Sequence, residues 1–151
     1  MMLERGFTLV ELIATITILL MLTTMAVPLA RLQVQRDREV ELRRDLREIR
    51  QAIDRYKDFS DRQMIPVKVD TFGYPPDLET LVDGVTLNGA SDAKYKFLRQ
   101  IPDDPMTGNA DWGLRSMQDD RDSQSWGGQN VFDVFSKSRG TALDGTPYTN
   151  W

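Results

Sequence analysis

The chain has 151 residues, enough for one domain with an appendage, and a formal net charge of −4 at pH 7. It contains neither cysteine nor histidine. A disulfide, a thiol nucleophile and a zinc site built on Cys and His are therefore excluded, and the commonest general base is missing. The excess of acidic residues argues against non-specific nucleic-acid binding over the whole surface.

The first thirty residues are nearly all apolar, and residues 12–30 form a run of 19 positions without a charge. As a helix this run spans roughly 28 Å, close to the hydrocarbon thickness of a bilayer, which predicts a transmembrane helix. Glu11 at its start would cost roughly 2.5–3.5 kcal/mol deep in a membrane, so it requires a partner. Pro28 removes one helical hydrogen bond and predicts a bend, with the hydroxyls of Thr23 and Thr24 close enough to satisfy freed carbonyls.

Residues 5–13 read Arg-Gly-Phe-Thr-Leu-Val-Glu-Leu-Ile. This string resembles the cleavage and methylation motif of type IV prepilins and type II secretion pseudopilins. The resemblance implies that a membrane peptidase cuts after Gly6 and methylates the new terminal amine of Phe7. It also implies that Glu11 pairs with the terminal amine of a neighbouring subunit, and that Pro28 is the family's proline, near which the helix bends. The alternative is a plain signal anchor in which the motif is a coincidence.

The predicted topology depends on the resemblance. The positive-inside rule weighs Arg5 and the terminal amine against Arg31, Arg36 and Arg38, and so favours a cytoplasmic location for the bulk of the chain. The resemblance implies the reverse. The leader is then cytoplasmic, the helix makes a single pass through the bacterial inner membrane, and the carboxy-terminal domain is periplasmic until subunits assemble into a filament.

The segment from Arg31 to Asp58 contains nine basic and seven acidic residues and neither Gly nor Pro. Its apolar residues recur every three or four positions, which predicts a helical stripe, and Glu39 with Arg43 predicts an i,i+4 ion pair. One helix from about Phe7 to about Phe59 is expected. The charges indicate a solvated face, or alternatively contacts between subunits. The stripe comprises Leu42, Leu46, Ile49, Ile53 and Tyr56.

The remainder predicts a small α+β domain of type IV pilin-like fold, with the long helix packed on an antiparallel sheet. Asp77 is a candidate N-cap for a helix over 78–82 that Gly84 ends. Residues 112–117 and 131–136 are predicted strands, whereas 94–101 fits a strand or a helical turn. The predicted segments are a leader (1–6), a transmembrane or filament-core helix (7–30), its amphipathic continuation (31–59) and a globular domain (60–151). The core candidates are Tyr56, Phe59, Trp112, Phe132, Phe135 and Trp151.

Four short motifs of the domain extend the resemblance: Tyr74-Pro75, Ile-Pro-Asp-Asp-Pro at 101–105, Asp-Val-Phe-Ser at 133–136, and Asn150-Trp151. Their order resembles the major (G-type) pseudopilin of type II secretion. The resemblance implies a structural pseudopilus subunit that polymerises with itself. Its partners would be the prepilin peptidase, minor pseudopilins, and an inner-membrane assembly platform with its motor ATPase. The alternative is a type IV pilus subunit for adhesion, motility or DNA uptake. A minor, tip-located subunit is less favoured because Glu11 is present.

Cofactor and catalytic roles find little support. Major pseudopilins hold calcium in the last loop, but here the single acid of residues 136–147 is Asp144, beside Lys137 and Arg139. Asp144 is the metal candidate of this loop. Because calcium takes six to eight oxygen ligands, usually with more than one carboxylate, a site there is doubtful. The Ser-x-x-Lys pattern ending at Lys94 matches penicillin-binding enzymes without their partner motifs. No catalytic residue, other cofactor or nucleic-acid partner is expected.

Overall fold

The computed structural model describes residues 6–89 and 94–151. It divides into one compact unit that ends at Asp37 and a second that spans Arg38–Trp151. The first five residues of the predicted leader and the first three of the Ser-x-x-Lys pattern lie outside the described residues. The predicted long helix is confirmed as α1, Leu9–Asp61, and the α+β fold class is confirmed by the short antiparallel strands that follow it.

The amino-terminal unit is the first part of α1, and Thr8 sets where that helix begins. The Thr8 hydroxyl accepts a hydrogen bond from the Glu11 N–H at 3.3 Å, and the Thr8 carbonyl accepts one from the Leu12 N–H at 3.1 Å. Threonine followed three positions later by glutamate is the spacing of a capping box. The helix therefore starts inside the motif, two residues after Phe7.

Pro28 lies inside α1, and the helix continues on both sides of it. The role expected of the neighbouring hydroxyls is wrong. Thr23 donates to the Leu19 carbonyl and Thr24 to the Met21 carbonyl, each at 2.7 Å, whereas Pro28 deprives the Thr24 carbonyl of its helical donor. The reason is geometric: helical side chains tilt toward the amino terminus and reach the carbonyl three or four residues earlier.

In the carboxy-terminal unit, the predicted stripe of α1 forms one wall of the core. All five stripe residues are buried, with Leu42 and Ile49 at 0% exposure. Around the stripe pack residues from each later segment of the domain, so the helix face and the domain share a single core. Those with at most 5% exposure are Ile65, Leu78, Leu81, Phe97, Leu98, Trp112, Val131, Val134, Ala142 and Tyr148.

The strands are antiparallel, as expected, and within the described residues they form two separate ladders and not one continuous sheet. Strand β1 (Val85–Thr86) pairs with β2 (Lys94–Tyr95), and β3 (Gly113–Arg115) pairs with β4 (Asp133–Phe135). In the second ladder Leu114 lies opposite Val134. The predicted strands over 112–117 and 131–136 are confirmed in shorter form. The segment 94–101, for which a strand and a helical turn were both possible, begins with strand β2.

Two glycines have specific tasks in this domain. The short helix α2 (Glu79–Asp83) ends at Gly84, whose φ of 79° favours glycine and whose N–H donates to the Thr80 carbonyl. Gly113 lies under the Phe135 ring, where an added Cβ would come within 2.3 Å of a ring carbon. At the other end, α2 begins one residue later than predicted, and Leu78, not Asp77, occupies the N-cap position, without a side-chain cap. The Asp77 carboxylate, one residue earlier, still accepts the Thr80 N–H at 2.7 Å.

Two core candidates near β4, Phe132 just before the strand and Phe135 at its end, differ in burial. Phe135 is 3% exposed, whereas Phe132, at 46%, is exposed, so the prediction for Phe132 is wrong. Val131 and Val134 supply the buried contacts on either side of Phe132, whose ring instead meets Tyr74 edge to face at 5.2 Å. Among the other candidates, Tyr56 and Trp112 are buried, and Phe59 and Trp151 pack partly buried against the core.

Candidate functional site

The predicted processing site lies in an open segment ahead of α1. Gly6 and Phe7 have no regular secondary structure, and Phe7 is 80% exposed. Apart from its chain neighbours, no atom of the described residues lies within 4 Å of where a Gly6 side chain would start. A peptide bond in such a segment is accessible to a protease. Cleavage after Gly6 and methylation of Phe7 stay predictions, which this geometry accommodates.

Glu11 lies in the first turn of α1 and is exposed. Its own N–H is held by Thr8, but no described residue donates a hydrogen bond or forms an ion pair with its carboxylate. A negative charge at this end of the helix interacts favourably with the helix dipole. The carboxylate oxygens can also accept a cation from outside the chain. The pairing of Glu11 with a neighbour's terminal amine stays a prediction.

The apolar side chains of the amino-terminal unit are exposed in the part of the chain that the structure describes. Every described side chain from Leu9 to Val34 is exposed, including Ile16 at 48% and Leu20 at 62%. Of the helices in the described part of the chain, α1 alone is long and apolar enough to cross a membrane, a criterion of length and composition. An uncovered apolar surface of this length indicates burial in lipid or against other chains.

The metal candidate Asp144 belongs to a hydrogen-bonded turn. Its carboxylate accepts the Thr146 hydroxyl at 2.6 Å and the Thr146 N–H at 2.9 Å, and lies 3.6 Å from the Arg43 guanidinium. These hydrogen bonds, the hydroxyl's first, and the Arg43 charge hold the pKa of Asp144 below its ordinary value. In the described residues no group of three acids converges on a metal position. Calcium binding stays an untested prediction.

Glu39 and Arg43 connect α1 to the loop that contains Asp144. Glu39, at 6% exposure, accepts hydrogen bonds from the Leu143 N–H at 2.9 Å and the Tyr148 hydroxyl at 3.0 Å. Arg43 stacks over the Trp151 ring at 4.1 Å. The predicted i,i+4 ion pair between Glu39 and Arg43 did not include these contacts with the last loop. A signal was present, because position 39 is three residues before Leu42 and so continues the buried stripe.

Arg50 is a second connection that spacing did not reveal. Its guanidinium donates to the Asp133 carboxylate at 2.6 Å, the Val134 carbonyl at 3.0 Å and the Trp151 main-chain oxygen at 2.8 Å. One side chain thereby joins α1, strand β4 and the last residue. On the sequence it is indistinguishable from the solvated arginines around it, since each acceptor lies more than 80 positions away.

A direct hydrogen bond joins two of the short motifs, and a third motif bonds to the segment just before β4. The Ser136 hydroxyl donates to the fully buried Asp104 carboxylate at 2.6 Å, which links the motifs at 101–105 and 133–136. The Val131 N–H donates to the Pro75 carbonyl at 2.8 Å. These bonds therefore connect the chain on either side of β4 to the turn after residue 101 and to Pro75.

Comparison with known proteins identifies the amino terminus. Residues 1–27 match the family model described as the prokaryotic N-terminal methylation motif. Searches of curated proteins and of solved structures returned no significant match. The motif supports the prepilin-like family. It indicates a type IV pilin-like or pseudopilin subunit that a prepilin peptidase processes and that assembles into a filament, and the long apolar helix is typical of pilin-like membrane anchoring.

Proposed function

We propose that this chain is the repeated structural subunit of a type II secretion pseudopilus, without catalytic activity of its own. The observation that carries the proposal is the uncovered apolar helix directly behind the methylation motif. A soluble enzyme would gain nothing from such a surface, whereas a filament subunit uses it twice. It anchors the subunit in the inner membrane before assembly and lines the filament core afterwards.

The proposed mechanism starts with cleavage after Gly6 and methylation of Phe7. A motor ATPase and assembly platform then extract the subunit from the membrane, with its domain on the periplasmic side. Moving an apolar helix from lipid into an apolar bundle changes little hydrophobic free energy, so specificity must come from packing and polar pairs. Glu11 supplies one such pair, because its carboxylate can meet the terminal amine of the next subunit where both are desolvated.

Secretion is proposed over a surface pilus because of the carboxy-terminal domain. Segments that resemble major pseudopilins make hydrogen bonds within this domain: Asp104 bonds to Ser136, and Pro75 to Val131. The absence of cysteine also fits this group better than pilins closed by a terminal disulfide. The periplasmic location of the domain and the minor pseudopilin partners are part of the same proposal.

The first experiment is mass spectrometry of the mature amino terminus after expression with and without a prepilin peptidase. We expect a chain that starts at N-methyl-Phe7 when the peptidase is present. A Gly6→Val variant is the control and should stay uncut. A wild-type chain that keeps Met1 under both conditions would contradict processing and remove the basis for a filament role.

A second experiment separates secretion from piliation. Deletion of the gene in its native host should leave secreted enzymes trapped in the periplasm, while surface filaments and twitching motility persist. The opposite result, normal secretion with loss of surface filaments, would assign the chain to a type IV pilus.

A further inference from the structure

Two arginines follow directly on the apolar part of α1 within the amino-terminal unit. Arg31 is the first residue after the uncharged run of residues 12–30, and Arg36 lies five positions further on. Both side chains are exposed, and neither forms a hydrogen bond or an ion pair with a described residue. Asp37, the nearest acid in the sequence, bonds instead to the Gln33 amide at 2.9 Å. Both guanidinium groups are therefore available to a ligand from outside the described chain.

The apolar surface of the helix does not end at the first of these charges. Leu32 is 51% exposed and Val34 is 52% exposed. Helical residues three or four positions apart lie on the same side, which places Val34 beside Arg31 and Leu32 beside Arg36. Two sides of this short segment therefore each carry one apolar side chain and one guanidinium. This combination is typical of a helix in the headgroup layer of a membrane, where apolar groups meet the acyl chains and charges meet the phosphates.

Lengths along the helix agree with a position in the headgroup layer. The uncharged run spans roughly 28 Å, and a bilayer has about 30 Å of hydrocarbon with roughly 5–7 Å of headgroups on each side. Arg31 and Arg36 lie roughly 2 and 9 Å beyond the end of the run. Helical side chains tilt toward the amino terminus, which here is toward the membrane, so the guanidinium of Arg36 also reaches the headgroups.

The proposed topology places these arginines on the exported side of the membrane. The positive-inside rule concentrates basic residues on the cytoplasmic side, so membrane insertion does not account for them. Folding of the monomer does not account for them either, because no described residue pairs with them. A ligand outside the chain accounts for both facts. Phosphate is the anion of the headgroup layer, and a guanidinium binds phosphate through two parallel N–H donors.

We propose that Arg31 and Arg36 bind the phosphate groups of anionic phospholipids in the exported leaflet of the membrane. This deepens the proposed function and rests on its membrane-anchored stage, before the subunit is assembled. Anionic lipids attract basic residues at the membrane surface, whereas a zwitterionic headgroup brings a positive charge of its own. The bound lipids fix the depth of the helix, and extraction of the subunit must break these contacts.

Fluorescence quenching in vesicles tests the lipid contact with the full chain, which has no native cysteine. Leu29→Cys, at a position 67% exposed and two residues before Arg31, carries a fluorophore. The labelled chain is reconstituted into phosphatidylcholine vesicles that contain a small share of nitroxide-labelled phosphatidylglycerol or, separately, nitroxide-labelled phosphatidylcholine. Quenching by each lipid gives its relative occupancy beside the fluorophore. We expect phosphatidylglycerol to be preferred at least about fivefold, the effect of roughly one arginine near an anionic headgroup.

Neutral variants locate the preference on the chain. Arg31→Gln and Arg36→Gln, introduced together, should remove most of it and leave at most about a twofold difference between the two lipids. Arg47→Gln is the matched control, because it removes the same charge at an exposed position of the carboxy-terminal unit that has no partner among the described residues. This control should keep the wild-type preference. Thermal unfolding, unchanged in every variant, establishes that lipid binding and not folding is being measured.

Two further measurements identify the ligand. The preference should shrink in about 1 M salt, where the Debye length is roughly 3 Å, and a preference unaffected by salt would contradict a contact made by charge. Inorganic phosphate added at constant ionic strength should not displace the labelled lipid, because only the lipid is concentrated at the membrane surface. Displacement would mean that the arginines bind any phosphate, and would overturn the lipid as their ligand.

Outcomes separate the lipid contact from the function on which it rests. A chain that alkaline carbonate washes off the vesicles is not membrane-anchored, which would overturn the proposed function and the lipid contact together. An anchored chain that both lipids quench equally, or a double variant that keeps the wild-type preference, would overturn the lipid contact alone. A chain that prefers phosphatidylglycerol but stays uncut by a prepilin peptidase would contradict the pseudopilus assignment and support the lipid contact.

Discussion

The two parts of α1 are continuous in sequence and opposite in how their side chains are satisfied. In the carboxy-terminal part, Leu42 and Ile49 are completely buried, and Glu39 and Arg50 bond to distant segments of the same chain. In the amino-terminal part, the apolar residues are exposed and the Glu11 carboxylate has no partner among the described residues. The second part therefore builds the core of the monomer, whereas the exposed apolar surface of the first part is suited to lipid or to other chains.

Among the substitutions that test this difference between the two parts of α1, the largest effect, on filament assembly, is expected at Glu11. Glu11→Ala should abolish filament assembly while leaving cleavage after Gly6 and the melting temperature of the domain unchanged, because the carboxylate acts between chains. Electron microscopy measures filament assembly, mass spectrometry of the same preparation measures cleavage, and thermal unfolding gives the melting temperature. Glu41→Ala, which removes an exposed acid further along α1, is the control and should assemble. Normal filaments from the Glu11 variant would contradict the pairing.

A matched pair of isoleucines tests the comparison through stability. Ile49→Ala removes a completely buried side chain and should lower the free energy of unfolding by about 2–5 kcal/mol. Ile16→Ala, at a position 48% exposed on the same helix, should lower it by less than about 0.5 kcal/mol. Denaturant titration of the full-length variants in detergent gives both values. Equal losses would show that the amino-terminal part also stabilises the folded monomer.

Smaller effects are expected where α1 holds the last loop. Glu39→Ala leaves the Leu143 N–H and the Tyr148 hydroxyl without this acceptor and should cost about 1–3 kcal/mol. Tyr148→Phe removes one of these bonds and should cost less. The double variant should cost less than the two single effects combined, because both remove the same hydrogen bond. Strict additivity in this double-mutant cycle would mean that the Glu39–Tyr148 contact does not contribute to stability.

The smallest expected effect is a pH dependence from Asp119 and Asp144. The Ser116 N–H, then the Gly127 N–H, lower the pKa of Asp119, and the Thr146 hydroxyl lowers that of Asp144. A lowered pKa in the folded state means that each carboxylate stabilises the protein above the ordinary value of 3.8, and that this contribution is lost as pH falls through the folded-state value. Asp144→Asn should therefore flatten the acid side of the stability curve, measured by thermal unfolding between pH 2 and 6.

Much of the domain was predictable because local signals and burial agree there. The three-and-four spacing of Leu42, Leu46 and Ile49 identified the buried face, and Asp77 and Gly84 marked the ends of a short helix. Phe132 was misplaced since an aromatic in a strand pattern can face either side, and only the neighbouring segments decide which side is covered. The division into two ladders likewise depends on which strands pair with each other, and local sequence patterns do not determine strand pairing.

By itself the sequence determined the long helix, its apolar first part, the processing motif and the buried stripe, because each of these depends on spacing within a few helical turns. Only the tertiary structure shows that Glu39, Arg43 and Arg50 hold the tail of the domain, and that Asp104 is buried against Ser136. The physical reason is that a charged side chain looks the same in sequence whether its partner is water, a distant carbonyl or another copy of the chain. Only the fold shows which of these partners is within reach.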